Sequence, residues 1–485
     1  MCDTIEQLVE FRESLHRTFS FRSDATMDLI DTIAGNNSAK SAVELSLSSL
    51  FPRQYSSLHD AVDNFLVPRS AEQVKQERHT RQQIRMRILA EHLPEPLRRN
   101  FFLFGLDTTG QPRPFAKTLA DRGIHYQPNP APGNKPVMVG HSYSVLAGLP
   151  EKEDRTSRPW LIPLLIRRVP TDQKATDVGA EQVKDLLKDE VLSLGSKLSV
   201  LAADSSYSVC EFLGQIVKQE NLATIVRVRG NRTFYRMPKT SDSDGTKGHP
   251  LWYGTPFELK DSTGWGQPDA TELVPLTLRN GRVCQVEIKA WYNLLMSGKR
   301  GIPMHEYPFT LILILLKDTN GKEVFKRPLW LIIIGKRRQQ ITLFDAYEAY
   351  RQRYDMEHFF RFGKHKLLMS SYKTPDVEHE QNWWEIVGLA YALLYIAAPL
   401  AQNLPRAWER YLPQLKQPKP GNLPPPSMVQ RNLPLIIRQI GTPGSLPKPR
   451  GKSPGRAKGY SPGKRERLPV VIKKVKSDQT LAQAP

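Results

Sequence analysis

Hydrophobic and polar positions follow different rhythms in different parts of this chain, and the changes of rhythm divide it into five stretches. From residue 1 to 99, apolar residues such as Leu58, Val62 and Leu66 recur at helical spacing between polar faces. This predicts a small helical domain, suited to binding DNA. Its end, "KQERHTRQQIRMRILAEHLPEPLRRN", is rich in Arg and Lys and predicts a helix laid along phosphates or a solvated face. Over 100–230 the texture becomes short apolar runs alternating with periodic ones. "FFLFGLD", "KPVMVGHSYSVLAGL" and "WLIPLLIRRV" predict three strands, the first closing at Asp107. "GAEQVKDLLKDEVLSL" predicts a helix, "KLSVLAAD" a strand closing at Asp204, "SVCEFLGQIVKQE" a helix and "LATIVRVRG" a strand. Three strands, helix, strand, helix, strand is the order of an α/β fold in which a mixed sheet is covered by helices on both faces.

Residues 231–327 open on a turn-rich break and continue as short β-branched or aromatic runs between turn residues, which predicts a β-rich insertion. The stretch 328–415 resumes the core: the strand "LWLIIIG", the helix "YRQRYDMEHFFRFGKHK" and the apolar "IVGLAYALLYIAAPL". That last run is shorter than the ~20 residues of a membrane span and follows Glu385, so it reads as a buried helix. Residues 416–485 hold 15 Lys and Arg against 2 Asp and Glu, with many Pro and Gly. Such a tail lacks the apolar content for a core and is expected to be disordered.

Charge narrows the class. A formal net charge of +20 over 485 residues and a pI near 9.7 call for a polyanionic partner, nucleic acid before a membrane surface. The start, "MCDTIEQLVEFRESLHR", carries early acids and no apolar run, unlike a signal peptide. Cys2, Cys210 and Cys284 are odd in number and scattered, against a disulfide framework or a paired zinc site. A reduced, cytoplasmic setting follows as the expectation.

Two acids stand out because each ends an apolar strand. Asp107 and Asp204 at the ends of neighbouring strands, with Glu357 on a helix beside the sheet, would form a three-carboxylate cluster. Such a cluster stays ionised only around a divalent cation, and oxygen-only ligands select Mg²⁺ or Mn²⁺. Each acid also has a plainer role open to it: Asp107 in an Asx turn, Asp204 as the cap of the next helix. His141 reads as structural. On the helix, Tyr350, Arg353, Glu357 and Lys364 lie at offsets of 0, 3, 7 and 14. At about 100° per residue these form one stripe.

Those four residues resemble the Y-x2-R-x3-E-x6-K signature of bacterial insertion-sequence transposases with a DDE active site. "LDTTGQPRPFAKTLADR" is similar to that group's first-aspartate region, and "LAADSSYS" followed by "ATIVRVRGNR" to its second. The likeness spans roughly residues 101–400. It implies an RNase H-like core with a β-rich insertion before the glutamate helix, and Asp107, Asp204 and Glu357 holding two metal ions for in-line displacement at phosphorus. It also implies that Tyr350, Arg353 and Lys364 grip phosphates, that Arg227, Arg229 and Arg232 contact the element end, and that Trp330 stacks on a flipped base; a solvated sheet edge is the plainer role open to Arg227 and Arg229, and a buried strand aromatic the one open to Trp330. The activity implied is cleavage and joining of double-stranded DNA at the terminal inverted repeats of a mobile element, by a homodimer on paired ends in the cytoplasm, at the nucleoid. A metal-dependent nuclease or junction resolvase on the same fold, and a domesticated, non-catalytic DNA-binding protein, are the rival readings.

Overall fold

The structure, a computed structural model, describes residues 2–66, 70–126, 136–154, 157–188, 197–238, 251–278, 281–325, 327–402, 423–449 and, with gaps at 456 and 462, 455–472. The amino-terminal helices are α1 (Cys2–Arg17), α2 (Ser23–Ala34), α3 (Ala42–Leu45), α4 (Tyr55–Asp63) and α5 (Ala71–Ala90). Strands β1 (Phe101–Pro112), β2 (Gly123–Tyr126), β3 (Val137–Gly148) and β4 (Ile162–Val169) follow, then α6 (Ala175–Lys188), β5 (Leu198–Ala203), α7 (Cys210–Ile216) and β6 (Leu222–Val228). A short ribbon of β7 (Thr233–Tyr235) and β8 (Pro256–Glu258) precedes β9 (Ala270–Thr277), β10 (Val283–Leu294), β11 (Phe309–Asp318) and β12 (Leu329–Ile334). The chain continues through α8 (Leu343–Gln352), α9 (Asp355–Lys366), α10 (Val377–Ala397) and α11 (Pro426–Ile440).

Among the described residues, ten strands form one sheet in the order β2-β3-β1-β5-β6-β12-β11-β10-β9, with β4 also paired to β3. Pairing is parallel for β1 with β5 and β5 with β6, and antiparallel elsewhere. The two parallel pairs are the buried centre, where side chains on both faces are apolar, as burial of every residue of β5 shows. Helices cover both faces, and consecutive residues of β1 show it. A Cβ on Gly105 would lie 3.1 Å from Met356 of α9, whereas Leu106 packs against Gly179 of α6. Because neighbours in a strand point to opposite faces, α9 and α6 lie on opposite sides of the sheet. This mixed, two-sided α/β architecture is consistent with an RNase H-like fold.

Strands β9 to β11, which make up most of the β-rich stretch, extend this same sheet outward from β12. The amino-terminal helices pack on α10, which is buried among α1, α2, α4 and β4. The segment Val377–Leu400 is long and apolar enough by length and composition to cross a membrane, but it is the core helix here. Its polar residues are paired. Glu385 meets Arg78 and, at 3.5 Å, Arg85, and Glu380 meets His141 at 2.7 Å, Tyr143 at 2.9 Å and Arg113 at 3.0 Å. His141 therefore has a structural place, far from solvent, fastening α10 to β3.

Two expectations are corrected here. The basic helix α5 is not laid out for phosphates along its whole length, since Arg78 and Arg85 turn inward to satisfy buried Glu385. Nor is the tail structureless throughout: α11 buries Val429, Leu433, Ile436 and Ile437 against α2 and α10. The apolar positions of α11 fall on one helical face, enough to dock on a core supplied by other elements though not to build one. Further on, Leu468 N donates to Lys117 O at 2.8 Å and Val471 bridges Gly123. Lys416 and residues 473–485 lie outside the described residues.

Candidate active site

The site starts from the register of β1 on β5. Their parallel pairing ends at Leu106 opposite Ala203, so Asp107 and Asp204 are the next residues along two adjacent strands. Asp107 does not close its strand as expected. β1 runs on to Pro112, paired on one side only with β3, and Asp107 sits where the β5 side opens. That excludes the Asx-turn role. Asp204 does take the capping role that its sequence left open, as its Oδ1 accepts from Ser206 N at 2.9 Å and Ser206 Oγ at 2.6 Å in the turn after β5.

The stripe Tyr350–Lys364 was expected on one helix and lies on two. Around Arg353 the bonding shortens to i→i−3, Tyr354 N to Arg351 O at 3.1 Å and Met356 N to Arg353 O at 2.9 Å, which separates α8 from α9. Arg353 and Tyr354 keep right-handed helical angles, so the stripe survives the joint. Thr342 caps α8, accepting from Asp345 N at 3.0 Å. Glu357 falls in the first turn of α9, where the helix dipole favours an anion.

Strand β1 and helix α9 meet face to face. Gly105, Asp107 and Thr109 share one face of β1. Gly105 receives Met356, Asp107 receives Arg353, and Thr109 receives Lys364. Arg353 donates Nη1 to Asp107 Oδ2 at 2.8 Å and directs Nη2 to Glu357 Oε1 at 3.4 Å. Its guanidinium also lies 5.6 Å from the centre of the Tyr350 ring. Lys364 Nζ donates to Thr109 Oγ1 at 2.6 Å and to Gly110 O at 3.0 Å. Arg353 is thus turned toward carboxylates in this state, where an outward phosphate grip was expected. Thr109 and Gly110 were not anticipated; the one signal for Thr109 is its spacing of two from Asp107.

Electrostatics follow from burial. Loss of solvent above all, with the neighbouring Asp204 and Glu357 charges, outweighs Arg353 and the Thr108 backbone bond and leaves the Asp107 carboxyl raised to about 6. Burial works against the Arg353 charge, but Asp107, Tyr350, Asp204 and Glu357 outweigh it and hold its pKa above the ordinary value. Burial lowers Lys364 to about 8. Glu357, at 42 % side-chain exposure, is far more open than Asp107 at 16 %. As donors for a metal the three acids are chemically apt, being hard oxygens, and a cation already stands between two of them in the form of Arg353. Among the described residues no three His, Cys, Asp or Glu side chains close on one point as they stand.

A groove of about 860 Å³ opens beside this cluster and is lined by Arg227, Tyr350, Arg353 and Glu357, with Arg98 and Arg99. Arg227 and Arg229 are exposed, as the strand alternation predicted, while Arg232 is partly covered and donates to Ser208 O at 3.3 Å. Trp330 takes the plainer of its two roles, a buried strand aromatic, and not the base-stacking one. It is 2 % exposed, with Trp265 edge-on at 5.0 Å and Trp291 at 5.9 Å. β12 lies inside the sheet between β6 and β11, and the two tryptophan rings packed on Trp330 place it in the core.

A family model described as DDE superfamily endonuclease matches residues 10–296, more than half of the chain. The matched stretch contains Asp107 and Asp204 and ends before α9. A search of curated proteins returns no match.

Proposed function

Since the chain belongs to the DDE superfamily endonuclease family, we propose that it is a DNA transposase of the group with the Y-x2-R-x3-E-x6-K signature. It binds the terminal inverted repeats of its own element as a homodimer in the cytoplasm, cleaves at the ends and joins them to target DNA. The observation that carries this reading is the register of Leu106 on Ala203, which makes Asp107 and Asp204 neighbours, with Glu357 linked to Asp107 through Arg353.

Asp107, Asp204 and Glu357 are the residues that would hold Mg²⁺ or Mn²⁺. Two such ions supply activation of the attacking oxygen and charge stabilisation at the leaving oxygen. The chain's own groups do the positioning. Lys364, fixed by Thr109 and Gly110, presents a point charge to a phosphate. Arg353 has the fork that matches a phosphate's oxygens. Tyr350 lies against that fork, Arg227 contacts the duplex along the groove it lines, and the exposed Arg229 contacts it beyond. Burial beside the Asp204 and Glu357 charges raises the Asp107 pKa, and a cation held by these acids would relieve that repulsion.

The test is cleavage of DNA carrying the sequences that flank the coding region, with Mg²⁺ or Mn²⁺, scored for nicks and for joined products. Asp107→Asn, Asp204→Asn and Glu357→Gln should each slow cleavage by roughly a thousandfold or more while retaining DNA binding. Wild-type rates in any of them remove that residue from the site. Cleavage without joined products would favour the nuclease or resolvase reading, and DNA binding without cleavage the non-catalytic one.

A further inference from the structure

The acids assigned to the metal are already partly neutralised by the protein itself. Arg353 spans Asp107 Oδ2 at 2.8 Å and Glu357 Oε1 at 3.4 Å, and its side chain is only 11 % exposed. Its Nε is buried and has no hydrogen-bond partner among the described residues, so this position does not satisfy the whole fork. A guanidinium and a divalent ion are like charges competing for the same oxygens in a poorly solvated place, and they repel strongly at such range. Metal entry therefore requires Arg353 to move. The groove it lines offers somewhere to go, because a DNA phosphate there can take two parallel bonds from the fork.

We propose that Arg353 is a placeholder cation that couples metal binding to DNA binding, occupying the space between Asp107 and Glu357 until a phosphate draws it away. This rests on the reading of Asp107, Asp204 and Glu357 as the metal site. Without DNA the carboxylates are occupied and metal binds weakly. With DNA they are released, so the loaded site assembles on the substrate. Linkage makes the effect reciprocal, and metal strengthens DNA binding by the same factor. The neighbours of Arg353 enforce the arrangement: Tyr350 lies against the guanidinium, and Lys364, the next cation on the stripe, is held away at Thr109.

The test measures Mn²⁺ binding to the full chain by electron paramagnetic resonance of the free ion, with and without a blunt 20-base-pair duplex (about two helical turns). In the wild type the duplex should tighten Mn²⁺ binding at least about tenfold. Arg353→Gln should bind Mn²⁺ at least about tenfold more tightly than wild type in the absence of DNA, and the duplex should then add little. Arg353→Lys, which keeps the charge but cannot bridge two carboxylates, should fall between them and guards against a folding defect in the first variant. Equal Mn²⁺ affinities for wild type and Arg353→Gln without DNA would overturn the placeholder role. If Asp107→Asn binds Mn²⁺ like wild type in the presence of the duplex, the metal lies elsewhere and the underlying site assignment fails instead.

Discussion

Gly105 of β1 lies directly against Met356 of α9, so close that a Cβ added to the glycine would stand 3.1 Å from the methionine Cγ. The contact sets how near α9 comes to the sheet, and Glu357 is the next residue on that helix. Gly105→Val should push α9 outward, lower stability by about 1–3 kcal/mol from overpacking, and reduce cleavage more than DNA binding. Met356→Ala in the same chain should recover part of the lost melting temperature. Thermal melts and cleavage rates of the single and double variants check this, and an unchanged Gly105→Val would mean that the helix spacing is set elsewhere.

Trp330 should behave as core. Trp330→Ala removes a side chain packed on Trp265 and Trp291 and should cost about 3–5 kcal/mol, seen as a lower melting temperature. Any loss of cleavage should affect first and second strands alike. A stable Trp330→Ala protein defective in one strand only would restore the base-stacking role.

Lys364 gives a pH dependence with a definite sign. Its pKa falls from the ordinary 10.5 to about 8 in the folded protein through burial, so between those values the unfolded chain binds more protons than the folded one. Stability should therefore rise as pH increases from about 8 to 10.5, by up to about 3 kcal/mol from this residue. Lys364→Met should flatten that part of the curve when urea melts are compared across the window, and should weaken DNA binding. An unaltered slope would show that the lysine is more open to water than its bonds to Thr109 and Gly110 imply.

The tail should contribute to folding as well as to charge. Arg12 donates to Gly441 O at 2.7 Å and Arg53 to Ser445 O at 2.7 Å, which ties the end of α11 to the amino-terminal helices. Ending the chain at Pro425 should expose the face that covers Val429 and Leu433 and lower the melting temperature by several degrees. Leu433→Asp should do the same at full length, at a cost of about 2–5 kcal/mol. Ending it at Ile472 should leave the melting temperature unchanged and reduce only the steepness with which DNA affinity falls with salt.

The buried Glu380 should be costly to alter. It serves His141, Tyr143 and Arg113 at once, and Glu380→Gln would leave Arg113 buried with less charge to face. A loss of about 3–5 kcal/mol is expected, with the DNA-cleaving residues untouched; a denaturant melt decides it.

From its sequence alone this protein has most of its order of strands and helices, though neither β2 nor α11, the two aspartates after apolar runs, the glutamate stripe and the polyanion-seeking charge. All of these rest on short-range patterns: periods of two and 3.6, a carboxylate after an apolar run, a count of lysines and arginines. Tertiary structure alone decided which partner each polar group meets. Arg353 and Asp107 are 246 residues apart and Arg78 and Glu385 are 307 apart, so nothing in the local pattern distinguishes an arginine aimed at a phosphate from one aimed at a carboxylate. The same holds for Trp330, whose ring could have been open until Trp265 and Trp291 packed on it, and for α11, whose apolar face is too small to form a core but fits one built by α2 and α10. A local period shows that a face is apolar or charged; only contacts between distant segments, which remove it from water, decide what it faces.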